Sequence, residues 1–259
     1  MACAKTPPTH GELVARRFGA RAAQYDDHAL LQRESAGRLA SFIAAHGGLP
    51  RTGLVTEIGC GTGLLSSLLA GQAERYLATD IAPEMLERCR ARLGHLPQLS
   101  FAVQDGEGAR FAEAPAAIVS NLAAQWFRDP ISGLANMARQ TPLLAFAVPL
   151  AGSFPEWEQA FRDLGRSSGL LPMPEEDALI RALSSLAADA GRTAHFETTH
   201  HVIHYANARA FADSFRGIGA DQPRPGYRPA PIRPVLRRFA AGMDATARVL
   251  YGLIMKEKT

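Results

Sequence analysis

Between Gly53 and Leu150 the chain alternates short β-rich runs with helical runs, and this rhythm limits the fold more than any other feature of its 259 residues. "GLVTEIG" reads as a first strand and "LLSSLLAG" opens the helix after it. "RYLATD" is a second strand, followed by a helix near "APEMLERCRARL", where Pro83 suits an early helical position. "LSFAVQD" is a third strand, "AAIVSNL" a fourth, "DPISGLANMARQ" a helix and "LLAFAVPL" a fifth strand. Strands separated by helices pair in parallel, because the crossover returns the chain to the same edge. The pattern predicts an α/β fold with a doubly wound sheet.

The flanks differ. From Glu12 to His46, Leu13, Phe18, Leu30, Leu31, Leu39, Phe42 and Ile43 recur at helical spacing until Gly47, Gly48 and Pro50 interrupt. Beyond Gly152, residues 153–194 read as helical with a break at "LPMPEEDAL". Then come a strand, "HFETTHHVIHY", a helix, "NARAFADSFRGIGA", a loop, "DQPRPGYRPAPIRP", and a closing strand in "TARVLYGLIMKEK". The predicted organisation is an N-terminal helical segment at 1–50, a ligand-binding core at 51–152, a helical insertion at 153–194 and a C-terminal completion of the sheet at 195–259.

With 47% apolar residues the chain can bury one large core. Its apolar stretches fall short of the roughly 18 to 20 residues a membrane span needs. "MACAKTPPTHGE" lacks the apolar centre of a secretory signal, so the expectation is a soluble, cytoplasmic protein. The three cysteines, Cys3, Cys60 and Cys89, have no metal-type spacing and suit a reducing compartment. A net charge of +3 is too small to indicate nucleic acid. Yet Arg224, Arg228, Arg233, Arg237 and Arg238 crowd one segment, as either a solvated face or a surface for an acidic partner. His195, His200, His201 and His204 invite a metal reading, but alternation splits them between two faces and no cysteine or carboxylate completes a set. No metal is expected.

The strongest local signal is "EIGCGTG", Glu57 to Gly63, at the end of the first strand. Open parallel sheets bind ligands beyond the carboxyl ends of their strands. Gly59, Gly61 and Gly63 let a ligand approach the backbone there. A dinucleotide fingerprint would place another glycine where Leu64 stands, which weighs against NAD. Acids end the next two strands, Asp80 before Ile81 and Asp105 before Gly106. The fourth strand ends in "SNLAAQW", placing Asn121, Gln125 and Trp126 at the same edge.

The GxGxG turn after an acid resembles motif I of the class I S-adenosylmethionine (SAM) methyltransferases. More specifically, "FGARAAQYDDHALLQ", "EIGCGTG", "SNLAAQW", "GSFPEWEQAF" and "RGIGA" resemble the BioC family, the malonyl-acyl carrier protein O-methyltransferases of biotin synthesis. The resemblance runs from about residue 14 to 220 and implies a seven-stranded Rossmann-like sheet, with the N-terminal segment and the insertion as lids. It implies SAM as cofactor, with S-adenosylhomocysteine as product, held by Glu57, Gly59, Gly61, Gly63, Asp80, Ile81, Asp105, Gly106 and Asn121. In the implied roles Asp80 receives the ribose hydroxyls and Asp105 the adenine amino group. Tyr25, Gln125 and Trp126 are the catalytic candidates beside the methyl, with Phe18 behind Tyr25. The implied partner is an acyl carrier protein bearing a malonyl-phosphopantetheine arm, with no nucleic acid or membrane.

Methylation of a carboxylate needs no base, since the group is already ionised at neutral pH. An arginine is expected to hold that carboxylate, with Arg21, Arg128 and Arg209 as candidates. Other acceptors stay open: another small carboxylate, a hydroxyl, or a protein partner of the kind served by BioC-like assembly factors.

Overall fold

The computed structural model describes residues 7–220 and 232–256. The N-terminal pattern resolves into three helices rather than one: α1 (His10–Arg21), α2 (Tyr25–His28) and α3 (Leu30–Ala45). Thr9 caps α1 by a reciprocal pair of hydrogen bonds with Glu12. Then follow β1 (Leu54–Ile58), a short α4 (Ser66–Leu69), β2 (Arg75–Asp80), α5 (Pro83–Leu93), β3 (Leu99–Val103), β4 (Ala117–Asn121), α6 (Pro130–Arg139) and β5 (Leu143–Pro149). After these come α7 (Pro155–Arg162), α8 (Glu176–Asp189), β6 (Thr193–Tyr205), α9 (Ala208–Gly217), α10 (Arg233–Arg238) and β7 (Met243–Met255). The expected loop thus ends two residues early, because Pro234 serves in the first turn of α10.

The seven strands form one sheet in the order β3-β2-β1-β4-β5-β7-β6. The first five are parallel, as their crossovers require, and β7 runs antiparallel between β5 and β6. The order reverses beside β1, so β1 and β4 flank the switch point where an open sheet leaves a crevice.

Alternation along the strands builds two cores. Val55, Val119, Ala145, Val249 and Tyr251 face Leu39, Phe42 and Ile43 of α3. Ile58, Ile118, Leu144, Phe146 and Leu250 face Leu134 and Met137 of α6 and Leu179 and Leu183 of α8. With helices on both faces the strands stay apolar throughout, as β5 shows. Among the described residues no helix is long and apolar enough to cross a membrane.

Candidate active site

The carboxyl ends of β1 to β4 open into a crevice with about 890 Å³ of space, counting the solvent at its mouth. Gly59, Gly61, Asp80, Ile81, Asp105, Gly106 and Asn121 all line it. Gly61 takes φ +55, with open space where a side chain would stand, so the crevice wall there is bare backbone. Gly63 does not line the crevice. Its close neighbour is Cys89 of α5, whose sulfur would lie 2.7 Å from an added Cβ. That glycine lets the turn press onto a helix instead of onto a ligand.

Asp80 is buried, and its two oxygens accept from the Gly61 and Ala82 N–H groups, both at 2.8 Å. Burial pushes its carboxyl up to about 6, against the opposing effect of those donors. Glu57 lines the floor, but its carboxylate accepts from the Ser66 hydroxyl and from Tyr76 at 2.8 Å. Burial raises it to about 7. It ties α4, which follows the glycine turn, to β1 and β2. Asp105 is exposed at the rim, with Glu107 N–H donating to one oxygen at 3.1 Å.

Asn121 sits at the crevice, but its amide is already engaged. Ser35 Oγ donates to Oδ1 at 2.7 Å, and Nδ2 donates to the Gln32 carbonyl at 3.1 Å. It joins β4 to α3 rather than presenting a free carboxamide.

The N-terminal helices close over this opening. Val14, Phe18 and Tyr25 line it, and Phe18 packs edge-on against Trp126 at 5.2 Å. His10 Nε2 donates to the Trp126 carbonyl at 2.7 Å. Thr62, inside the glycine turn, donates to Asp26 at 2.6 Å, and Arg92 pairs with the same carboxylate. Burial, with Asp80 as the next contributor, raises the Tyr25 phenol well above its ordinary range. Tyr25 is therefore a neutral donor. Sequence reading missed the Thr62–Asp26–Arg92 latch, whose members lie in three separate elements.

A second, larger cavity adjoins the first, with about 1600 Å³ of space open to solvent. Its walls are Phe154, Trp157, Tyr205, Phe211 and Phe215, which stack in a continuous aromatic cluster. Gln125 lines this chamber and not the crevice. Its Nε2 donates to the Leu122 carbonyl at 2.7 Å, while Oε1 is buried without a partner. Trp126 lines both cavities. Arg21, Arg128 and Arg209 line neither; the arginine at the chamber is Arg216, exposed and paired with Asp213 at 2.7 Å. Leu122 and Phe154, at φ +50 and +58, hold the left-handed conformation on the chamber wall, a strained state for such side chains. No cluster of three or more His, Cys, Asp or Glu among the described residues could hold a metal.

Residues 55–141 match a methyltransferase domain family. The chain is 33% identical to a malonyl-[acyl-carrier protein] O-methyltransferase of Magnetococcus marinus, over 92% of its own length and 90% of that protein's. The chain belongs to the malonyl-acyl carrier protein O-methyltransferase family. It is also 37% identical to the biotin biosynthesis bifunctional protein BioCD of Bordetella avium, over 95% of this chain but 53% of that relative, so it spans about half of the bifunctional protein. Among solved structures, a complex of DhpI with SAM and HEP shares the fold at a TM-score of 0.58 and 17% identity, covering 95% of this chain and 99% of that one.

The cofactor of this methyltransferase family is S-adenosylmethionine, and the crevice suits it. Bare backbone at Gly61 admits a ligand, and each Asp80 oxygen keeps acceptor capacity beyond its backbone donor. A buried carboxylate with that capacity matches a pair of hydroxyls.

Proposed function

We propose that this methyltransferase esterifies the free carboxylate of a malonyl thioester carried by an acyl carrier protein, a step toward the pimeloyl chain of biotin. The observation that carries this reading is the join between the two cavities, which share the walls Gln32, Leu122 and Trp126. One cavity offers cofactor contacts at strand ends. The other is aromatic, roomy and open at one side, as a long acyl-pantetheine arm requires.

Bound SAM supplies an electrophilic methyl group on a sulfonium. In our assignment Asp80 accepts the ribose hydroxyls, Asp105 and the backbone before Gly106 hold the adenine edge, and Gly59 and Gly61 pass beneath the methionine portion. Ile81 packs beside the adenosine. Glu57, Gly63 and Asn121 act from behind, fixing the turn and the α3 contact. Tyr25, Phe18 and Trp126 exclude water above the crevice. That exclusion matters because transfer annihilates a carboxylate and a sulfonium, and a dry enclosure favours the neutral products. The acceptor is ionised beforehand, so the chain needs to orient it, not deprotonate it. α1, α2 and the 154–173 stretch then act as lids over the 51–152 core, whereas α3 and α8, also expected in the lids, pack on the two faces of the sheet; β6 and α9 complete the chamber, and β6 and β7 the sheet.

The carrier protein would dock at the chamber mouth. Ile232 lines the chamber, and Arg233, Arg237 and Arg238 follow it on exposed turns of α10. Arg238 is paired with Asp163. Arg224 and Arg228 lie outside the described residues. A basic rim beside an apolar entrance suits a small acidic partner. The test is growth without biotin in a bacterial strain that lacks its own malonyl carrier methyltransferase. This chain should restore growth and its Asp80→Ala variant should not; failure of the wild-type chain, expressed and folded, would contradict the reading.

A further inference from the structure

Methyl transfer has to occur where the crevice and the chamber meet, and the residues common to both are Gln32, Leu122 and Trp126. Leu122 contributes hydrocarbon, and Trp126 sets its ring against Phe18. Gln32 brings a carboxamide that makes no hydrogen bond to any described residue. Its backbone, in contrast, is fixed. Tyr251 donates to Ser35 at 3.2 Å, Ser35 to Asn121 at 2.7 Å, and Asn121 to the Gln32 carbonyl at 3.1 Å. Tyr251 and Ser35 are fully buried. A buried relay thus holds one polar residue at the junction while leaving its side chain free for a ligand.

We propose that the Gln32 side-chain amide donates to the spectator oxygen of the acceptor carboxylate, so that Gln32 orients the nucleophile and selects acyl groups ending in a carboxylate. The proposal rests on the carboxylate-acceptor reading above. A neutral donor suits this position better than an arginine. A cation would repel the adjacent sulfonium and draw electron density from the attacking oxygen, whereas an amide aligns the group and leaves its second oxygen basic. Arg216, the arginine at the chamber, is exposed, paired with Asp213 and lines the chamber alone.

The test measures binding of malonyl-pantetheine and acetyl-pantetheine by calorimetry, with S-adenosylhomocysteine present, to the wild-type chain, Gln32→Met and Gln32→Glu. Loss of a hydrogen bond to a charged group should weaken malonyl-pantetheine about tenfold or more in Gln32→Met. Acetyl-pantetheine and S-adenosylhomocysteine affinities should stay unchanged. Gln32→Glu should bind malonyl-pantetheine worse than Gln32→Met at neutral pH and recover as the pH falls, when the protonated acid can donate. Equal weakening of both thioesters, or no weakening, would overturn the assignment. A wild-type chain with no preference for malonyl over acetyl would remove the function reading and this assignment together.

Discussion

The two cavities are built from different materials. The crevice has a floor of backbone and short polar groups at strand ends, beneath the apolar side chains of Val14, Phe18, Tyr25 and Trp126, with the Asp80 oxygens held by N–H groups of the very turns that frame it. The chamber is walled by aromatic side chains from β6, α7 and the turn before it, α9, and the turn after β4 that carries Trp126. Backbone walls depend little on neighbouring side chains, so a cofactor site of this kind can be shared by enzymes with unrelated acceptors. Side-chain walls change one residue at a time. In the reading proposed above labour is divided: the strand ends hold the methyl donor, the helices after β5 shape the acyl chamber, and Gln32 of α3 stands where the two meet.

The largest expected effect that separates the two regions is Asp80→Ala. It should weaken SAM about a hundredfold or more, as two hydroxyl bonds to a charged acceptor are lost, while malonyl-pantetheine binding stays near wild type. Calorimetry with each ligand alone measures both. Phe211→Ala is the mirror experiment. Phe211 is buried among Phe154, Trp157, Tyr205 and Phe215, so its truncation should cost about 3–5 kcal/mol of stability in urea unfolding. SAM affinity of the folded chain should survive. A large loss there would show that the two cavities are not separable.

Protonation sharpens the same contrast. Asp80, raised to about 6 by burial, loses acceptor capacity below that pH, so SAM affinity should drop about tenfold per pH unit beneath it. Asp80→Asn should flatten that dependence. Stability of the ligand-free chain runs the other way. Asp80 and Glu57 are both raised, the latter to about 7, so the folded chain holds protons that the unfolded chain has already released. Thermal stability should therefore fall as pH rises from about 4 to 7. The smallest effect is expected at the rim: Arg233→Glu with Arg237→Glu should slow carrier-bound turnover about tenfold and spare malonyl-pantetheine. Equal loss with both substrates would remove the docking surface.

The same contrast governs what the amino-acid sequence revealed. The glycine turn and the acids at Asp80 and Asp105 are local, and each occupies a strand end whose position follows from the alternation alone. The parallel pairing of the first five strands follows from the alternation too, whereas the insertion of β7 antiparallel between β5 and β6 does not. Gly63 presses on α5 instead, because spacing cannot tell a turn that faces a cavity from one that faces a helix, and Asn121 lines the crevice with its amide already bonded to α3, which residue type does not reveal. The chamber stayed invisible because His28, Trp157, Phe211 and Ile232 meet through packing between distant segments. Arg216 opens the "RGIGA" run, but the run does not tell which cavity its side chain borders, and the helical pattern of 12–46 hides the breaks at α2 that bring Tyr25 and Gln32 inward. Positive φ at Leu122 and Phe154 leaves no trace in residue type, since both are large side chains where glycine would be the easier choice.

The most direct measurement follows a labelled methyl group from SAM in the presence of malonyl-acyl carrier protein and, separately, acetyl-acyl carrier protein. The account expects base-labile label on the acyl group of the malonyl carrier alone. Label on both carriers, or SAM bound with no ester formed on folded enzyme, would contradict it.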